Sequence, residues 1–164
     1  ALTFLTKLLK RLVLEKAEGS LTKRLAGGGL GAMGMGLLIT VGVQSSSITT
    51  SLLVPLIGAG IIPIQMAFSA TLGANIGTTI TALLASLTGT PGAVTVALVH
   101  LLFNISGILI IYPFKTLRNI PIRLAEGLAR RTAEKKYYAL LYMIGIFFIM
   151  PLLFVLIDKA IRAI

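Results

Sequence analysis

From Leu25 to Phe114, ninety consecutive residues carry no Lys, Arg, Asp or Glu. With 56% apolar residues and a mean hydropathy of +0.97, a chain of 164 residues containing such a stretch belongs in a bilayer rather than around a soluble core. Hydrocarbon offers no partner to backbone N–H and C=O groups, which helical spans satisfy internally. The expected fold class is therefore all-α integral membrane.

Within that stretch lie two knots of neutral oxygens, Gln44-Ser45-Ser46-Ser47-Ile48-Thr49-Thr50-Ser51 and Asn75-Ile76-Gly77-Thr78-Thr79-Ile80-Thr81. Hydroxyls and amides in hydrocarbon cost free energy unless they bond protein, water or a ligand. The two knots read together as one binding site for a small solute. An isolated Ser or Thr such as Thr40, Ser86 or Ser106 reads instead as bonded to a helix carbonyl or knitting two helices. His100 and Asn104, four apart on one helical face, read as an interhelical hydrogen-bond pair.

The formal charge of +10 is confined to segments flanking the apolar spans. That placement indicates anionic lipid headgroups and control of topology, with membrane lipids as partners and no nucleic acid. No Cys is present, which excludes disulfides and thiolate chemistry, and a single His excludes a His-cluster metal site within this chain. No cleavable signal peptide is apparent, because Lys7, Lys10 and Arg11 follow the first apolar residues. The first residue, Ala1, is consistent with a fragment in which Ala1 to Leu5 is the stub of an earlier span.

The chain divides as follows. Residues 1–24 give an interfacial helix and membrane entry, with Leu5, Leu8, Leu9 and Leu12 opposite Lys7, Lys10 and Arg11. Residues 25–60 give a re-entrant hairpin with its tip at the serines. Glycines, including the GxxxG pair Gly27 and Gly31, predict close packing of the first limb. After the serines only ten residues, Ile48 to Ile57, precede Gly58-Ala59-Gly60. At about 1.5 Å per helical residue that is half of a ~30 Å hydrocarbon layer, so two half-length helices fit better than one span. Residues 61–90 are expected to form a transmembrane helix interrupted at Gly73-Ala74-Asn75-Ile76-Gly77. Residues 93–113 and 137–158 are two further transmembrane helices, joined by a basic loop or amphipathic helix over 114–136. Residues 1–24 and 115–136 carry six and seven basic residues, thirteen of the fifteen. A hairpin that enters and leaves on one side puts both segments on one face, which the positive-inside rule makes cytoplasmic.

A site without charged side chains still has two kinds of ligating group. Hydroxyls and the N–H groups of the helix that starts after Gln44 suit an anion. Carbonyls, Thr hydroxyls and amide oxygens suit Na⁺, and Thr78 and Thr81 share a helical face. An anion and cations bound together would neutralise each other, which argues for cation-coupled anion transport. A passive anion channel or pore subunit would use the same knots without a cation, and a scaffold would use them only for packing.

Gln44-Ser45-Ser46-Ser47, Gly73-Ala74-Asn75-Ile76-Gly77-Thr78-Thr79 and His100 to Gly107, in that order, resemble the type II sodium-dependent phosphate cotransporters and their bacterial relatives. The likeness runs from roughly Lys7 to Ile157. That family is built from two inverted repeats, each with a Gln-Ser-Ser-Ser hairpin and an interrupted helix. The resemblance implies that this chain is one inverted-repeat half of a secondary transporter, the C-terminal one, whose second half is in the same polypeptide or a separate chain. It implies sodium-coupled symport of inorganic phosphate, another oxyanion being the alternative, in a bacterial inner membrane, with no enzymatic step. It assigns phosphate binding to Ser45, Ser46 and Ser47. It assigns the co-transported Na⁺ to Gln44, Ser45, Thr78 and Thr81, with Asn75 and Thr79 nearby. Some members have Ser where this chain has Ala74, so a cation oxygen from that position is absent.

Overall fold

The computed structural model describes residues 28–162. The expected interfacial helix of residues 1–24 and the first member of the Gly27 and Gly31 pair lie outside them. The described residues are helical, in the order α1 (Gly29–Val43), α2 (Ser46–Gly58), α3 (Ile64–Ser86), α4 (Pro91–Ile111), α5 (Lys115–Glu134) and α6 (Tyr137–Arg162). They fall into two units that divide within α5, between Arg118 and Asn119.

In the first unit, α3 and α4 have 23 and 21 residues and are long and apolar enough to cross a membrane. By contrast α1 and α2, with 15 and 13 residues, are about 22 and 20 Å long and cannot cross a ~30 Å layer alone. They are the two limbs of the expected hairpin. Gln44, the C-cap of α1, takes a left-handed conformation (φ 58°, ψ 26°), and Ser45 is extended and caps α2. These two residues turn the chain at the tip. Pro55 lies buried in the second limb.

The first limb packs against α3 along a seam of small residues. A Cβ on Gly36 would collide with the Ala70 carbonyl, one on Gly73 with the Met33 carbonyl, and one on Gly77 would stand 2.8 Å from Thr40 Cβ. Ala32, Ala70 and Ala74 are buried in the same unit. Water is not there to drive apolar side chains together, so membrane helices associate through close backbone approach, which small residues permit. The expected close packing of this limb is therefore found.

The expected interruption of the 61–90 helix is not. Residues Ile64–Ser86 form one continuous α-helix through Gly73 and Gly77. Glycine serves two ends in a membrane helix, unwinding and close approach, and here both glycines are occupied by approach: their missing Cβ atoms make room for α1.

Gly29 lies beside Tyr112, which follows α4, and Ser69 Oγ is 3.5 Å from the Tyr112 hydroxyl. The pairs Gly29 with Ser69, Met33 with Gly73 and Thr40 with Gly77 make α1 parallel to α3, while α4 returns antiparallel. The start of α1 and the end of α4 thus share one end of the unit, where Arg118 stacks over the Tyr112 ring at 5.0 Å.

In the second unit, α6 has 26 residues and the length and hydropathy of a third span. Its backbone takes a π-helical turn at Gly145–Ile149, just before Pro151. Proline has no N–H to donate, and widening the turn there is one way a helix accommodates that loss. From Leu140 to Ile157 nearly every large apolar side chain is exposed. A surface of that kind belongs against lipid, and the chain is an integral membrane protein. The part of α5 in this unit carries Arg123, Arg130 and Arg131 and is amphipathic, as expected for 114–136.

Candidate functional site

The hairpin tip is built by hydroxyls that bond to backbone. Ser45 Oγ accepts the Ile48 N–H at 3.4 Å, the usual N-cap arrangement. The Ser45 carbonyl in turn accepts the Thr49 hydroxyl at 3.2 Å, and Thr49 Oγ1 accepts the Thr40 hydroxyl at 2.8 Å. Thr40 and Thr49 are 0% and 2% exposed, so this chain of hydroxyls crosses between the limbs away from solvent. It ties the first limb to the carbonyl of the residue that caps the second. Thr40 does knit two helices, as an isolated threonine should. What sequence reasoning missed is its partner: Thr40 stands four residues before Gln44 and Thr49 four after Ser45, and residues equidistant from a hairpin tip face each other.

Next to this buried pair the open oxygens begin. Ser46 is half-buried and Ser47 exposed, and neither hydroxyl is engaged among the described residues. Their carbonyls accept the Thr50 hydroxyl at 2.9 and 3.2 Å. Their N–H groups belong to the first turn of α2 and precede any intrahelical acceptor. The Gln44 side chain is exposed and likewise unengaged. The tip therefore presents two N–H groups and two free O–H groups at a helix N-terminus, a donor set for an anion.

Helical rise places the end of the second knot at about the height of the first. Thr40 packs on Gly77, and four residues further, about 6 Å along each parallel helix, stand Gln44 and Thr81. Thr81 Oγ1 donates to the Thr78 carbonyl at 2.8 Å and Thr78 Oγ1 to the Ala74 carbonyl at 3.1 Å; both residues are half-buried. A hydroxyl whose proton is committed to its own helix turns its oxygen lone pairs outward. Such an oxygen suits a hard cation rather than an anion.

Two of the expected cation ligands are not brought to this place. Asn75 lies two residues before Gly77, hence on the opposite side of α3 from the seam, and is exposed. Thr79 donates its proton to its own helix in the same way, to the Ile76 carbonyl at 2.7 Å, but it is 0% exposed, and this burial closes its oxygen to an incoming ion. The interhelical bonding expected of His100 and Asn104 is not seen among the described residues: His100 is exposed, and Asn104 Nδ2 is buried without a partner. Ser86 bonds to the Leu83 carbonyl at 2.7 Å as an isolated serine should, and Ser106 is exposed. Among the described residues no cluster of three His, Cys, Asp or Glu could hold a metal.

Comparison with known proteins bears on what these donors hold. A family model described as Na+/Pi-cotransporter matches residues 1–149. The chain is 48% identical over 124 residues to sodium-dependent phosphate transport protein 2A of Ovis aries, covering 73% of this chain and 19% of that protein. It is 49% identical over 123 residues to sodium-dependent phosphate transport protein 2B of Homo sapiens, covering 72% and 18%. The chain thus spans about a fifth of the length of the curated relatives it matches. No solved structure matches it.

Proposed function

Since the chain belongs to the Na+/Pi-cotransporter family, we propose that it forms one half of a secondary transporter that couples Na⁺ entry to inorganic phosphate uptake. The observation that carries this reading is the sorting of oxygens at the hairpin tip: free O–H and N–H donors on one side, lone pairs turned outward on the other, and no side-chain charge between them. Phosphate is held by the hydroxyls and N–H groups of Ser46 and Ser47, and by the Ser45 hydroxyl, whose proton remains free while its oxygen accepts the Ile48 N–H. Na⁺ is held by the Gln44 side-chain oxygen, by Ser45 and by the outward lone pairs of Thr78 and Thr81.

The electrostatics explain why the two travel together. A multivalent anion at the tip meets no Lys or Arg, since none lies between Leu25 and Phe114. Away from water its charge is strongly uncompensated, and at an effective dielectric of about 20 a cation 4 Å away contributes roughly 4 kcal/mol per charge pair. Na⁺ binding thus creates the anion site. The second inverted-repeat half, from the same polypeptide or a separate chain, closes the pocket from the other side, and movement of the halves alternates access. An antiparallel pair of identical chains would require dual topology, which thirteen of fifteen basic residues on one face oppose. That face is cytoplasmic and the membrane is a bacterial inner membrane.

The test is phosphate uptake by the complete assembly in proteoliposomes with choline in place of Na⁺. Uptake should stop; uptake that continues undiminished would refute the coupling. A Na⁺ gradient should also drive phosphate above its external concentration. Flux that only equilibrates would show a passive pore.

A further inference from the structure

We infer that the second unit holds one anionic phospholipid of the bilayer in a groove between α5 and α6. The groove has a volume of about 670 Å³ and is walled by Leu124 and Leu128 from α5 and by Tyr138, Tyr142 and Ile146 from α6, with Arg123 and Arg131 at its margin. Neither Arg123 nor Arg131 makes an ion pair among the described residues, where the one salt bridge joins Asp158 and Arg162. The two arginines are eight residues apart, about 12 Å along α5 and roughly 80° apart around it, within one broad face. Gly127 stands midway between them on that face, and no heavy atom outside its own helix neighbourhood comes within 4 Å of where its Cβ would be. The floor of the groove is therefore open because this residue has no side chain.

The occupant follows from the mixture of surfaces. An acyl chain can lie along Tyr142 and Ile146 and continue down α6, whose apolar side chains are exposed over the whole span. A phosphodiester at the other end can be reached by both guanidiniums, which offer planar pairs of donors suited to phosphate oxygens. Long arginine stems can cover an apolar wall while their charged heads reach a lipid headgroup. A zwitterionic lipid would put its own ammonium or choline among these cations, so an anionic headgroup is selected. Soluble phosphate satisfies the arginines but leaves the apolar walls uncovered. The inference does not depend on transport.

The experiment uses the complete purified protein, exchanged into micelles containing equal amounts of phosphatidylglycerol and phosphatidylcholine, with retained lipids counted by native mass spectrometry. One phosphatidylglycerol per copy of this unit should be retained. Each arginine near an anionic headgroup is worth about fivefold in binding, so Arg123→Gln with Arg131→Gln should weaken retention roughly thirtyfold. Lys135→Gln with Lys136→Gln changes the net charge equally outside the groove and should leave retention intact. Gly127→Leu fills the groove without touching charge, and should release the lipid even if the arginine variant does not fold. Equal loss in the arginine and lysine pairs would overturn the site, reducing it to general surface charge. Retention in Gly127→Leu, or displacement of the lipid by millimolar inorganic phosphate alone, would overturn it as well.

Discussion

Replacing Gly73 by Ala separates the two roles a glycine can have in α3. An ideal Cβ there would overlap the Met33 carbonyl oxygen and lie 2.7 Å from its carbon and 3.0 Å from the Leu37 nitrogen. Unstrained carbon contacts sit near 3.5–4.0 Å, so α1 and α3 must part by about 1 Å, which forfeits a quarter to a half of the dispersion energy of each contact along the seam. All three atoms are backbone in the middle of α1 and cannot rotate aside. The upper end of the usual overpacking cost, about 3 kcal/mol, therefore applies. Against it stands the gain of about 1 kcal/mol from replacing glycine within a helix. The net expectation is a loss of about 2 kcal/mol. Gly34→Ala is the matched control: it lies in α1 with no atom within 4 Å of its Cβ position, so only the gain applies. The two variants should differ by about 3 kcal/mol. Equilibrium unfolding in micelles, or the order of melting temperatures, measures this. If Gly73→Ala melts at or above the parent, the backbones do not touch there, and an unwound α3 is the better description.

Three further outcomes follow from the site and the surface. Ser46→Ala and Ser47→Ala each remove a free O–H donor without opening a cavity, so the phosphate concentration for half-maximal uptake should rise by about tenfold while melting is unchanged; lowered stability with unchanged affinity would make these serines structural. Thr40→Val and Thr49→Val keep side-chain shape but break the hydroxyl chain, and a double-mutant cycle on unfolding should give a coupling of about 1 kcal/mol. Additive effects would mean the 2.8 Å bond contributes nothing. Arg162→Gln should leave stability within about 0.5 kcal/mol of the parent, because its pair with Asp158 is exposed and one helical turn apart.

The long apolar helices α3, α4 and α6 and the two short helices joined at the serines were legible because helix length follows from residue counting. Ile48 to Ile57 is too short to cross, and the structure ends that limb at Gly58. The continuity of α3 was not legible. Gly73 and Gly77 look the same in sequence whether they loosen their own helix or admit a neighbour, and only the register that sets Met33 and Thr40 against them decides. The candidate site divides in the same way. Clustering of Gln44 to Ser47 located the tip, and chain position gave Thr81 its place. Neither could say that Thr79 is fully buried or that Asn75 faces away from the seam. Which hydroxyl oxygens stay open depends on helix packing. Four-residue spacing suggested that His100 and Asn104 bond to a neighbouring helix, yet spacing fixes only that two side chains share a stripe, not that a partner stands opposite it.

The seam between α1 and α3 has a mechanical consequence. Where two backbones touch with no side chain between them, no rotamer can change to let one helix slide past the other, so the first limb and α3 travel as a single rigid arm. Displacement of Thr81 is then delivered undamped to Gln44 at the end of that arm. If the proposed transport cycle operates, its compliance falls to the linker that begins at Ala59, where Gly60 takes φ 70° before Pro63 opens α3.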